Sequence, residues 1–508
     1  MATKALFNTV VNWFILQRMD QIEHFIKYPV ETQEGLLFSQ LFHAEETEYA
    51  QKYGFSSISN YRDFQKKVPI VCYEDFEPYI EKARQGQKDV IWPGLIKQFA
   101  KSSGTTNAKS KYIPITAESL EDCHYKAGKD MVALYVNNHP ESELFQHKNL
   151  RLGGSAEMYQ DFNTKFGDLS AILIENLPFW VEIINTPNKK ISLMSEWESK
   201  MKAIISEVRN EDVGSLTGVP SWMMVLLQRT LQETGKNNIG ELWPNLEVFF
   251  HGGISFKPYK NQYKDIIGRD IRYYEIYNAS EGFFGIQDQS GSDEMLLMLD
   301  YGIFYEFIPM DQYYAGSREA IPISEVELGK NYAVVITTNG GLWRYLIGDT
   351  VKFTSINPYR IRISGRTKHY INAFGEELMI DNVESALKIA CEHMDASISD
   401  YTGAPVFMTN ESKGCHEWIF EFTKKPRCLD EFTDVFDKTL KTLNSDYEAK
   451  RYNDITLRKP IVHSAKSNLF YEWMASRGKL GGQNKVPRLS NDRKYIDPLL
   501  ILNQELSN

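Results

Sequence analysis

The sequence is poor in cysteine: Cys72, Cys123, Cys391, Cys415 and Cys428 are the only five in 508 residues, with no CxxC pair among them. That density and odd number exclude a disulfide-scaffolded domain, and they predict reduced thiols in a cytoplasmic protein. Long apolar runs are missing too. The stretches around 171–174 and 295–299 are broken by polar residues far short of a bilayer span, so no membrane segment is expected. Near the N-terminus Leu6, Phe7, Val10, Val11, Phe14 and Ile15 are spaced like one helix face, without a small-residue cleavage site, which predicts a packing helix and not a signal peptide. Positive charge is not in excess. A net charge of -10 gives no general attraction to phosphate backbones and argues against a nucleic-acid partner. There is no internal repeat, no low-complexity tract, no GxxxxGK[ST] and no GxSxG, which excludes the familiar P-loop and the serine-nucleophile elbow.

What is present is an ordinary globular composition, 42% hydrophobic and 24% charged. The chain exceeds the size at which a single core stops growing, so two domains are expected. Runs such as 246–250, 332–338 and 418–422 read as strands, and 197–208 and 221–234 read as helices. Their alternation predicts an α/β fold. The best punctuation lies at 365–368, dividing a large domain (1–365) from a smaller α+β domain (366–508), which reads strand, helix (381–392), strand, helix (429–442) and an irregular tail.

Five segments carry candidate chemistry. The stretch 99–109, FAKSSGTTNAK, is a hydroxyl-rich turn before a strand at 112–115, and Ser102, Ser103, Gly104, Thr105 and Thr106 could offer N–H and O–H donors to phosphate oxygens. Taken alone it reads as a solvated loop. In 277–282, YNASEG, Glu281 follows the alternating run 271–276 and could face a cleft, where one carboxylate suffices for a magnesium ion bridging nucleotide phosphates. Alone, this is equally well a surface turn. In 341–349, GLWRYLIGD, the closing Asp349 can accept from two ribose hydroxyls, although Gly-Asp by itself reads as a hairpin turn. The last two segments are 365–369, GRTKH, continuing to 372–377, and 481–488, GGQNKVPR, where Lys485 could reach a developing phosphorane.

In this order and spacing the five resemble the core motifs of the adenylate-forming superfamily of acyl-CoA synthetases and luciferase. The form YNASE, the upstream VPIVCYEDFEPY (68–79) and the downstream KVPR are similar to the Gretchen Hagen family of acyl acid amido synthetases, from about Val68 to Leu489. The resemblance implies a large N-terminal adenylate-forming domain, a smaller mobile C-terminal domain hinged near Lys368, and ATP with Mg2+. It implies that Ser102, Ser103, Gly104, Thr105 and Thr106 hold phosphates. Glu281 would hold magnesium, Asp349 the ribose, and Tyr277, Ala279 and Ser280 the adenine edge. Arg366 would belong to the ATP site, and Lys485 would act during adenylation. Gly252 and Gly253, in HGGIS (251–255), would flank the acyl pocket, with a tight turn carrying a structural His251 as the alternative.

The implied activity is ATP-dependent activation of a carboxylic acid and transfer of the acyl group to an amine, with an amino acid as acceptor. Coenzyme A ligation and a non-catalytic adenylate-binding module remain the alternatives. Two departures stand out: Leu346 replaces a common arginine, removing one possible cation beside the nucleotide, and Asn107 replaces a glycine. Candidate acyl-pocket residues are Leu152, Phe179, Trp180, Val219 and Trp222; neither the acid nor the oligomeric state is readable.

Overall fold

The computed structural model describes residues 17–505 apart from 103–110, 154–157, 178, 195, 255, 257–258, 368–369, 410–411, 455 and 478–485. The expected N-terminal packing face, the hydroxyl-rich residues Ser103 to Thr106, Asn107, Lys368 and Lys485 lie outside the described residues. From residue 17 the chain is helical, with Ile22 and Phe25 buried in the main core.

Among the described residues the large sheet has twelve strands in two halves of different construction. The strands Ile303–Pro309, Asn331–Thr338, Tyr345–Ile356, Tyr359–Arg366, Met295–Leu297, Gly282–Ile286 and Arg272–Ala279 are antiparallel neighbours. From Arg272–Ala279 onward the order continues through Val248–Gly252, Val213–Gly218, Lys148–Arg151 and Asn185–Thr186 in parallel. Burial explains the sequence of these strands: Ile303–Pro309 is buried throughout and is apolar or aromatic except at Glu306, whose charge is paired. The helix Pro220–Thr234 starts with proline at its first position and stops at Gly235, whose left-handed φ of 66° closes the last turn.

A second sheet pairs Gln98–Ser102 with Lys111–Ile115, the register Ser102 to Lys111 bringing together the two ends of the hydroxyl-rich segment. The C-terminal region is built on Ser397–Val406, Cys415–Lys424 and Ile461–Ser464, backed by the helices Ile380–Met394 and Leu429–Leu443. Gly403 is required there, because a Cβ would meet the Trp418 ring at 2.3 Å. This region shares one apolar core with the parallel half of the large sheet, Phe374, Trp418 and Phe436 joining Met223, Phe249 and Tyr263. Tyr259 donates to the Ala373 carbonyl at 2.8 Å and Gln262 to that of Met408 at 2.7 Å across the same boundary.

Candidate functional site

The strand arrangement itself makes the site. Where the parallel and antiparallel halves meet, the carboxyl ends of Lys148–Arg151, Val213–Gly218, Val248–Gly252 and Arg272–Ala279 open onto one cleft of about 2950 Å³, and ligands of open α/β sheets bind at such ends. That volume exceeds the roughly 300–1,000 Å³ of a single small-molecule site.

One wall is a closed polar cluster. Asp349 and Arg366 are direct partners in the antiparallel register, so their side chains share a face. Arg366 Nε meets Asp349 Oδ1 at 2.8 Å, and its Nη2 meets Glu377 Oε1 at 3.0 Å. The Tyr277 hydroxyl donates to Asp349 Oδ2 at 2.8 Å. Burial works against the Arg366 charge, but the Glu377 and Asp349 carboxylates outweigh it and hold the guanidinium protonated. Burial and the Asp349 charge push the Tyr277 phenol up, so its hydroxyl stays a donor. Asp349 thus sits inside a long strand, not in the hairpin turn that Gly-Asp suggests in isolation.

Glu281 occupies the two-residue tip between Arg272–Ala279 and Gly282–Ile286. It is half-buried and lines the cleft with Ala279 and Ser280. Burial pushes its carboxyl up, opposed by Lys111, which lies where the hydroxyl-rich segment rejoins the second sheet. Among the described residues no group of three or more His, Cys, Asp or Glu could hold a metal by itself. A lone carboxylate at the cleft wall fits magnesium arriving with nucleotide phosphates, which keeps most of its own waters.

Gly252 and Gly253 line the cleft as expected, yet Gly252 also has a packing reason: a Cβ there would stand 2.5 Å from the Ile276 carbonyl oxygen of the adjacent strand. His251 is buried, stacks on Phe256 at 4.1 Å and is pushed down to about 3 by burial, so it is a neutral ring at the cleft floor. Leu152, Val219 and Trp222 converge on the same space.

The Leu346 departure has a different meaning from the one expected. Leu346 is 6% exposed and packs with Ile308, Ala333 and Val335 on the face opposite Ile347 and Asp349, both of which line the cleft. No cation is missing from the cleft at that position. Arg344 is not in the cleft either. It forms a two-point pair with Glu306 (2.9 and 2.8 Å) and donates to the Val68 carbonyl at 2.7 Å, fastening the upstream segment to the sheet. Arg366 is the cation on Asp349.

The profile of the GH3 family N-terminal domain matches residues 18–271, that of the GH3 family central domain 296–366 and that of the GH3 family C-terminal domain 381–494. The chain belongs to the GH3 family. Relatives of this GH3 chain include a probable indole-3-acetic acid-amido synthetase, GH3.1 of Arabidopsis thaliana, 22% identical over 94% of this chain and 92% of that protein. The jasmonoyl–L-amino acid synthetase JAR6 of Nicotiana attenuata is 25% identical over 66% and 68%. In fold the chain is similar to the GH3.15 acyl acid amido synthetase (TM-score 0.61, 18% identity, 96% and 95% covered). It is also similar to a 2-hydroxyisobutyryl-CoA ligase (TM-score 0.59, 15% identity, 94% and 93% covered).

The motifs of this GH3 chain did not point to several polar groups in the cleft: Arg151, His124, Lys450 and Glu377. Only Glu377 had a signal, its place in the segment after Arg366. Among the described residues no helix is long and apolar enough to cross a membrane.

Proposed function

We propose that the cleft activates a carboxylic acid with ATP to an acyl-adenylate and passes the acyl group to the amine of an amino acid. The observation that carries this reading is the Tyr277–Asp349–Arg366–Glu377 cluster facing Glu281 across the switch point of the sheet. Ribose hydroxyls donate to the Asp349 carboxylate, whose orientation Tyr277 and Arg366 fix in advance. Magnesium on Glu281 would neutralise charge on the phosphate oxygens. Ser102, Ser103, Gly104, Thr105 and Thr106 offer donors to those phosphates, Ala279 and Ser280 border the adenine, and Gly252 and Gly253 border the acyl group.

In the first half-reaction a carboxylate oxygen bonds to the α-phosphorus as the bond to pyrophosphate breaks, with Lys485 balancing the charge that develops. In the second, a neutral amine attacks the acyl carbon, AMP leaves and the amine loses a proton. Neither step needs a protein nucleophile, so positioning and charge stabilisation carry the reaction. The region beyond residue 365 turns about Lys368 between the two steps. The relatives named as amido synthetases support an amine acceptor, and the cytoplasm, rich in ATP and amino acids, is the compartment this chemistry suits.

A pyrophosphate-release screen over a carboxylic acid library identifies the acid. That acid is then incubated with ATP, magnesium, an amino-acid pool and coenzyme A, and the products are separated by mass. An acyl-amino acid is expected; acyl-CoA as the dominant product would remove the amide reading and leave adenylation standing.

A further inference from the structure

Among the residues lining the cleft is Lys450, which no motif contains. Lys450 lies on the short helix Ser445–Arg451 of the C-terminal region. That helix is fixed from both sides. Asn444 caps it by accepting from the Tyr447 N–H at 2.7 Å, and the Asn444 amide donates to the Glu377 carbonyl at 3.1 Å, tying the helix to the segment that clamps Arg366. On the other side Asp437 takes Arg451 through two bonds (2.9 and 2.8 Å) and the Tyr447 hydroxyl at 2.6 Å.

Lys450 is excluded from that network. Its ammonium stands over the Trp222 ring, 4.0 Å from the centroid, and a Cβ on Gly375 would touch its Nζ at 3.4 Å. Both Lys450 and Trp222 line the cleft. Among the described residues no carboxylate comes within ion-pair distance of this ammonium, whereas Arg451 and Lys441 are both paired with Asp437. The carboxylates that surround it are engaged elsewhere. Glu376 accepts from the Ala373 and Phe374 N–H groups and meets His416 at 2.8 Å, Glu377 pairs with Arg366, and Asp168 accepts from Ser170. Asp446, one turn earlier on the same helix, faces the same cleft. Burial pushes the Lys450 ammonium down to about 8, against the opposing pull of Asp446, Glu376, Asp168 and Glu377. A desolvated cation without a paired anion is costly in the free protein, and a ligand carboxylate would remove that cost.

We propose that Lys450 binds the carboxylate of the acceptor amino acid and thereby sets acceptor choice. The assignment rests on the proposed amide-forming reaction. The acyl acid spends its carboxylate on phosphorus, so the carboxylate left for a cleft cation belongs to the acceptor. Lys450 comes from the C-terminal side and touches Gly375, two residues from Glu377 of the nucleotide clamp, so a carboxylate held there places an α-amine beside the reacting end of the cleft.

The test uses the full-length chain with Lys450→Met and Lys450→Arg, an acid returned by the release screen, and three acceptors: the preferred amino acid, its carboxamide and hydroxylamine. Lys450→Met is expected to raise the amino-acid KM by about tenfold or more while hydroxylamine trapping of the adenylate stays within about twofold. Wild type should prefer the acid over the carboxamide, Lys450→Met should not, and Lys450→Arg should recover part of the preference. Equal loss with hydroxylamine, an unchanged amino-acid KM, or a change confined to the acyl-acid KM overturns the assignment, the last by placing a second carboxylate on the acyl substrate. If no acid supports pyrophosphate release, the reading of the reaction fails separately. Thermal stabilisation by the amino-acid pool with a non-hydrolysable ATP analogue then decides: a shift in wild type that Lys450→Met abolishes is expected, and a shift equal in both, or absent from both, overturns it.

Discussion

The two ends of the cleft are built on opposite principles. At the antiparallel end Asp349, Tyr277, Arg366 and Glu377 satisfy one another at 2.8–3.0 Å before any ligand arrives. At the parallel end Arg151 and Lys450 carry charge with no carboxylate in ion-pair reach among the described residues, and His251 is held neutral by burial, pushed to about 3. A saturated cluster fixes geometry in advance, which suits the constant ligand of the proposed reaction, the nucleotide. Unsatisfied groups store an unpaid desolvation cost that a ligand can relieve, which suits the end where substrates differ.

The largest effects should come from breaking the saturated end. Asp349→Ala is expected to lower acid-dependent pyrophosphate release by about two orders of magnitude or more, since it removes a pre-oriented anion and leaves the Tyr277 hydroxyl and the Arg366 Nε without their partner. Glu281→Gln should cost a similar factor in saturating ATP and magnesium. Near-wild-type turnover in both variants would show that the nucleotide lies elsewhere.

Stability separates the ends more sharply, because one kind of substitution should act with opposite sign. Arg366→Met strands two carboxylates and should destabilise by about 3 kcal/mol. Arg151→Met removes a cation that burial pushes down to about 10, opposed by Glu182 and Tyr125, and should stabilise the ligand-free protein by about 1 kcal/mol. Denaturant titration of both variants measures the signs; two losses of equal size would erase the distinction.

Restoring the superfamily arginine, Leu346→Arg, should destabilise by about 2–3 kcal/mol with no gain in adenylation, because the side chain enters the Ile308, Ala333 and Val335 cluster. An increase in pyrophosphate release would contradict the orientation of that strand.

The smallest effect is on pH dependence. Burial raises the Glu281 carboxyl pKa in the folded state, so this group favours folding below its unfolded pKa and loses that contribution as pH rises through the folded value. At neutral pH ionised Glu281 therefore costs stability in the ligand-free protein. Glu281→Gln should melt slightly higher than wild type at pH 7, and the difference should shrink as pH falls through the carboxyl range. A difference constant with pH would mean that Glu281 is not the titrating group.

The sequence by itself determined the elements and the order of the motifs. The helix Trp197–Val208 and the strand Asn331–Thr338 follow from apolar periodicity alone, and the run from the hydroxyl-rich segment through Glu281, Asp349 and Arg366 is a linear pattern that needs no coordinates. Strand parity could also have placed Leu346: if Asp349 faces the cleft, Ile347 shares its face and Leu346 does not. What only the tertiary structure decided was partnership. Arg366 meets Asp349 because two strands take one register, and Glu377 joins them only when the following segment folds back. Lys450 looks like any lysine on a solvated helix, since the surrounding sequence, SDYEAKR, is mostly polar. Its position over Trp222, in a cleft more than two hundred residues away along the chain, comes from packing the C-terminal region against the parallel half of the sheet. Local pattern records which residues can form an element; the desolvation and pairing that give a side chain its chemistry are set by contacts distant in sequence.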